Sequence, residues 1–170
     1  MSETSRRQSP PPPLKILFVC SGNTCRSPMA EAVARSVAGS AGLETAEFRS
    51  AGTSAAPGLP ASQGALRASE RNGLELEAHR SSLLSPELID WADLILTMGP
   101  SHLARILELG GEGKSFLLGS FALGSERVEG HHAVLDPFGG DDELYEATFQ
   151  TLDRYVKLAL SRLGGWEEEA

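Results

Sequence analysis

The sequence predicts an α/β fold in which a parallel sheet of four strands is covered by helices on both faces. Three observations predict it. Short apolar runs alternate along the chain with segments of helical periodicity, the order that produces parallel strands joined by helical crossovers. The first apolar run passes at once into a glycine-bearing loop and a helix start, as strands of such sheets do. The 170 residues, 41% hydrophobic and 22% charged, suit one domain that buries roughly 70% of its unfolded surface.

Each element has its own signal. Residues 1–13 are polar and end in Pro10-Pro-Pro-Pro13, which reads as a disordered, solvated tail of polyproline character rather than as a ligand for an aromatic groove. The domain is expected over 14–164, with an acidic tail at 165–170. Leu14-Lys-Ile-Leu-Phe-Val19 is a buried strand. Ser27 and Pro28 read as N-cap and first helical residue of a helix to about Gly39, with Ala30, Val33, Ala34 and Val37 at helical spacing. Residues 46–50 form a short second strand, and Gly52 to Pro60 a turn-rich loop. A helix is expected from about Pro60 to Asn72, closed by Gly73. Ser85 caps a short helix through Trp91, whose indole is expected in the core. Residues 93–98 are the third strand, Pro100 opens a helix ending at Gly110, and 115–118 are the fourth strand. A glycine-rich, His-containing segment leads to Asp136-Pro-Phe-Gly-Gly140. The last helix runs from about Asp141 to Leu163, with Leu144, Phe149, Leu152, Tyr155, Val156, Ala159 and Leu160 as its core stripe.

Bulk properties exclude several function classes. A net charge of −8 argues against general nucleic-acid or anionic-membrane binding, so any phosphate site must be a local positive pocket in an acidic protein. Two cysteines, both in one loop, do not make a secreted disulfide framework. No run approaches the ~20 apolar residues of a membrane span, and no signal-peptide stretch opens the chain. The expected compartment is the cytoplasm. The sequence is silent on oligomeric state.

The chemistry lies in Cys20-Ser-Gly-Asn-Thr-Cys-Arg26-Ser27-Pro28. A strand, a tight loop and a helix start form an anion cradle, because unpaired amides at a helix N-terminus carry partial positive charge. An ordinary thiol is only a few per cent ionised at neutral pH; Cys20, entering a loop of amides beside Arg26, has surroundings that favour the reactive thiolate. The Arg26 fork suits two phosphate oxygens at once, where a lysine supplies one point charge. Gly22 allows close backbone approach, and Asn23 tolerates left-handed geometry and can hold the loop. Ser27 can cap the helix and also donate to the sulfur as it departs. Asp136, on a loop stiffened by Pro137, is the candidate proton donor, the alternative being a turn-forming Asp-Pro. Ser21, Gly22, Asn23, Thr24 and Cys25 make the phosphate-binding loop.

Other patterns fall short. Gly113-Lys114-Ser115 lacks the first glycine of a nucleotide-binding loop, where the chain has Glu108. His131-His132 with the two distant cysteines lacks zinc-ligand spacing. The four histidines are therefore expected at the surface or in loops, with no metal and no cofactor.

The run from Val19 to Glu31 closely resembles the signature of low-molecular-weight protein tyrosine phosphatases, and Asp136-Pro137 resembles that family's general-acid loop. Order and spacing agree over about 14–163. The resemblance implies a doubly wound four-stranded parallel sheet and metal-free hydrolysis through a cysteinyl-phosphate: Cys20 attacks phosphorus, the loop and Arg26 hold the phosphoryl group, and Asp136 serves as acid and then base. Within the family, Thr24 and the Phe138 that follows Asp-Pro resemble bacterial protein arginine phosphatases, whereas tyrosine-directed members usually carry isoleucine and a tyrosine or tryptophan there. Phosphoarginine in phosphorylated protein substrates is thus favoured over phosphotyrosine. Arsenate reduction, another family activity, needs a redox pair beyond the nucleophile, and only Cys25 is on offer. Cys25 is instead expected as the partner of a reversible, protective disulfide with Cys20. A non-catalytic phosphate-binding module is the reading from a different class; p-nitrophenyl phosphate turnover by reduced protein separates it from the enzyme.

Overall fold

In the computed structural model, which describes residues 12–125 and 129–164, β1 (Lys15–Cys20), β2 (Glu47–Gly52), β3 (Leu94–Thr97) and β4 (Ser115–Leu117) pair in the order β2-β1-β3-β4. All pairings are parallel. Six helices complete the described residues: α1 (Arg26–Val37), α2 (Gln63–Arg71), α3 (Pro86–Trp91), α4 (Pro100–Glu108), α5 (Leu118–Ala122) and α6 (Asp142–Leu163). No helix among them is long and apolar enough to cross a membrane.

β1 is buried at five of its six positions, and its alternating side chains serve two cores. Ile16 and Phe18 pack with Met29 and Val33 of α1 and with Phe149, Leu152 and Val156 of α6. Leu17 and Val19 pack on the other face with Ile89, Ile95 and Ile106. A strand covered on both sides has no solvent face to mark, so it reads as a continuous apolar run rather than an alternation.

Local structure departs from the sequence expectation at several points. α1 begins at Arg26 with Cys25 in the N-cap position and no side-chain cap. Ser27 is therefore not the cap but the second helical residue. Pro28 still costs no hydrogen bond, because first-turn amides lack intrahelical partners anyway. α2 starts later than Pro60 because Ser62 caps it, its Oγ accepting from Ala65 N at 3.3 Å. Ser85 caps α3 as expected, accepting from Leu88 N at 3.2 Å. Beyond β4 the chain folds directly into α5 and later a 3-10 turn, Gly130–His132, where an irregular segment was expected. Gly119 misled that reading. It sits inside α5 because a Cβ there would lie 2.3 Å from the His132 carbonyl and 2.9 Å from Tyr155.

In α6, Asp141 is the cap, accepting from Leu144 N at 2.9 Å. Tyr145 faces the core and Leu144, 39% exposed, does not, so the expected stripe is right from Phe149 onward and displaced by one residue at its start. Trp91 is half-buried at the edge of the second core, with the Arg49 guanidinium 4.3 Å over its ring. The proline-rich leader, apart from Pro12 and Pro13, and the acidic tail 165–170 lie outside the described residues.

Candidate active site

β2 and β3 flank β1 on opposite sides, so the chain changes winding direction beside β1. Cys20 stands at that strand's carboxyl end, where open α/β sheets bind ligands. Residues 21–25 make the loop into α1, and Asn23 is its only non-glycine residue of positive φ, at 55°. The left-handed step is thus carried by Asn23 and not by Gly22, whose added Cβ would meet only Thr24 Oγ1 at 3.7 Å. Asparagine accepts the geometry because its amide repays it locally. Asn23 Nδ2 donates to Ser27 Oγ at 2.8 Å and Ser50 Oγ at 3.0 Å, while Oδ1 accepts from Ser82 N at 2.8 Å. Gly52 supports the loop from below; a Cβ there would lie 2.4 Å from Ser21 O and 2.9 Å from Asn23 N.

The loop carbonyls are drawn outward. Cys20 O accepts from Thr53 N, Ser21 O from Ser54 N and Thr24 O from Ser62 N, each at 2.9 Å. Asn23 O pairs with His79 Nε2 at 2.7 Å. Carbonyls occupied in this way leave the amide edge for the concave side, the arrangement of a backbone anion nest.

That side is a cavity of about 250 Å³ lined by Cys20, Ser21, Gly22, Thr24, Cys25, Arg26, Asp136 and Phe138. Cys20, 2% exposed, lies at its base with Sγ 2.9 Å from Ser27 Oγ. Because Ser27 Oγ already accepts from Asn23, its own hydrogen must point elsewhere, and the sulfur is nearer than Ala51 O at 3.5 Å. Arg26 is buried, its NH1 donating to Val134 O at 2.9 Å and its NH2 3.6 Å from Asp136 Oδ2. Its Nε is buried with no acceptor among the described residues. Asp136 is half-exposed; Phe138 N donates to Oδ1 at 3.1 Å, so Oδ2 is the oxygen that faces the guanidinium. Phe138 stands 76% exposed at the rim. Cys25 Sγ lies 3.2 Å from Ser62 Oγ and 3.4 Å from Tyr145 OH. Burial pushes the Tyr145 phenol above its ordinary range, keeping it a neutral partner for that thiol.

The structure thus brings every sequence-predicted site residue to one loop and one cavity, with Asn23 and Ser27 as its inner supports. It also adds residues that the sequence reading missed. Ser50, Ser62, Tyr145 and His79 hold the loop from outside, and His102 holds it from α4. His102 Nε2 lies 2.8 Å from Ser21 Oγ, which in turn is 3.5 Å from Arg26 NH2. Histidines were expected at the surface or in loops; His79 lies half-buried in a loop and His132 is buried in the 3-10 turn, whereas His102 is buried within α4. The available signal was position: His102 follows β3, the neighbour of β1, at the same carboxyl edge.

Burial, with the Arg26 charge adding to it, lowers His102 from 6.5 to about 4. The unfolded chain binds a proton near pH 6.5 that the folded chain refuses until about pH 4. Its contribution to stability is therefore complete above pH 6.5 and declines as pH falls toward 4. Urea unfolding should show stability falling between pH 7 and pH 5 by on the order of 1 kcal/mol, and His102→Gln should remove that part of the slope. An unchanged slope in the variant would contradict the assignment.

Comparison with known proteins follows the same lines. A family model described as low molecular weight phosphotyrosine protein phosphatase matches residues 15–165. A Geobacillus stearothermophilus protein named protein-arginine-phosphatase is 40% identical over 153 residues, 89% of this chain and 97% of that protein. The low molecular weight protein-tyrosine-phosphatase PtpB of Staphylococcus epidermidis is 34% identical over 137 residues, 80% of this chain and 89% of that one. Among solved structures, a cysteine-to-serine mutant of the YwlE arginine phosphatase, carrying a phosphorylated active-site serine, superposes with a TM-score of 0.81 at 37% identity. That match covers 91% of this chain and 98% of that one.

Proposed function

The chain belongs to the low molecular weight phosphotyrosine protein phosphatase family, and we propose that its substrate is phosphoarginine in proteins. The carrying observation is that Cys20, Arg26 and Asp136 line one cavity at the carboxyl edge of the sheet. In the first step Cys20 sulfur attacks phosphorus in line; the S–P bond forms and the P–N bond breaks. Asp136 Oδ2 gives its proton to the departing guanidine nitrogen, which is too basic to leave unprotonated. The loop amides and the Arg26 N–H groups hold the three equatorial oxygens, where transition-state charge spreads. In the second step Asp136 takes a proton from water, whose oxygen attacks phosphorus and releases orthophosphate. Ser27 donates to the sulfur as it departs with its electron pair.

Three features support arginine over tyrosine. Thr24 gives the cavity a short, partly polar wall, where an isoleucine would press on a flat ring. Asp136 offers negative charge at the mouth to a guanidinium, and Phe138 offers a ring face on which a guanidinium stacks. The 40%-identical relatives named protein-arginine-phosphatase agree. Hydrolysis of phosphoarginine and phosphotyrosine peptides by wild type and Thr24→Ile tests this. Wild type should prefer phosphoarginine in kcat/KM, and the substitution should shift the ratio toward phosphotyrosine by roughly tenfold, the effect of one or two methyl groups in a pocket wall. A wild-type preference for tyrosine that the substitution leaves unchanged would refute it.

Two cysteines confined to the one loop and lining the one cavity fit a reducing compartment, and the cytoplasm is the proposed location. They also support Cys25 as the redox partner of Cys20. Mild peroxide should inactivate the enzyme and a dithiol restore it fully. Irreversible loss would leave Cys25 as a packing residue only.

A further inference from the structure

The geometry points to a second site, a transition-metal site of the zinc class built from Glu129, His131 and His132 on the segment that leads to Asp136. His131 Nε2 and His132 Nε2 lie 3.2 Å and 3.3 Å from the same oxygen, Glu129 Oε2. All three donor atoms fall within 4.8 Å of one another. Tetrahedral coordination at bonds of about 2.0–2.1 Å sets donors about 3.3 Å apart. Two of the three edges already have that length, and only the imidazoles must draw together. Two histidines and one glutamate are also a donor set that zinc takes with one position left open. Imidazole selects zinc, cobalt or nickel over calcium and magnesium.

His132 shows that the site is built rather than accidental. It is 8% exposed, and its Nδ1 lies 3.0 Å from the buried Ser120 Oγ. Metal-ligating histidines use the second ring nitrogen in this way, which fixes tautomer and ring orientation. In the tautomer in which Ser120 accepts the Nδ1 proton, the Nε2 lone pair faces the Glu129 carboxylate, and a cation shared by the two satisfies both. The rings of His131 and His132 pack edge to face at 4.2 Å, which holds both on one side of Glu129. The histidine pair lacks ligand spacing to the distant cysteines, and Glu129, two residues upstream of His131, completes the set instead.

The site is apart from the catalytic cavity but shares its backbone. Two residues beyond His132, Val134 gives its N–H to Met98 O at 2.8 Å and its carbonyl to Arg26. A cation at 129–132 would therefore clamp the segment that anchors Arg26 and presents Asp136.

Cobalt(II) titration of the metal-free, reduced protein tests the proposal, followed by visible absorption. One equivalent should bind with the d–d bands of tetrahedral nitrogen and oxygen ligation, without the near-ultraviolet charge-transfer band that binding to Cys20 or Cys25 would give. His131→Ala, at a residue whose side chain is 74% exposed, should abolish those bands while leaving p-nitrophenyl phosphate hydrolysis by metal-free protein unchanged. Ser120→Ala should weaken binding by about 10–100-fold. Zinc should displace the cobalt. Failure to bind, cobalt bands that survive His131→Ala, or thiolate bands alone would each overturn the proposal and leave a proton-shared hydrogen-bonded cluster.

Discussion

Cys20→Ser should lower kcat on p-nitrophenyl phosphate by at least about 10⁴-fold, the scale on which removing a nucleophile acts, with no loss of fold. The substitution replaces one buried atom by a smaller one, and Ser27 Oγ remains to hydrogen-bond it. What changes is chemistry. A serine hydroxyl must surrender a proton to attack phosphorus, and the groups around this position are poor acceptors. Ser27 is itself held by the Asn23 amide, and His102 is engaged with Ser21 on the far side of the loop. An alkoxide is also a much worse leaving group than a thiolate, so any phosphoserine that forms should persist. Mass spectrometry after incubation with substrate should therefore find either unmodified protein or a stable adduct of one phosphate, and never sustained turnover. Turnover within tenfold of wild type would show that Cys20 is not the nucleophile and refute the cysteinyl-phosphate route. The comparison must be made on reduced protein, because oxidised wild type would be silent for another reason.

That the loop lining the cavity could be found from the sequence reflects where its information lies. Cys20, the Asn23 turn and Arg26 are neighbours in the chain, and a buried strand followed by a tight turn and a helix start is a local pattern. The parallel sheet was legible for the same reason, since each strand declares itself by its own apolar run. Ser27 shows the limit. Both readings of its hydroxyl were open, cap or sulfur partner, and only the placement of Cys25 at the helix start decides that it turns to Cys20. His102, His79, Ser50 and Tyr145 could not be found by local pattern, because they reach the loop from elements far away in sequence. Glycines misled where they serve packing rather than turning. Gly119 and Gly52 are small because another backbone lies against them, a fact that exists only after the chain has folded.

Arg26→Lys carries the second large expectation, a loss of about 10³-fold in kcat/KM, the scale of a lost transition-state donor or arginine finger. The charge is kept, so a purely coulombic role predicts a small effect. The guanidinium does more than carry charge. NH1 is committed to Val134 O, NH2 lies between Ser21 Oγ and Asp136 Oδ2, and Nε is buried with no acceptor among the described residues. A planar fork can bind Val134 with one arm and still present donors to two phosphoryl oxygens; a lysine ammonium can satisfy one demand or the other. Because equatorial charge is shared among oxygens as phosphorus is transferred, the loss should fall mainly on kcat. The substitution should also cost stability of about 1–3 kcal/mol, since Val134, 3% exposed, would keep a buried carbonyl without its donor. Thermal unfolding measures that cost separately from activity assayed well below the transition. A variant that keeps activity within tenfold of wild type while losing stability would show that Arg26 is a strut for the 134–136 segment, and that the loop amides alone hold the phosphoryl group.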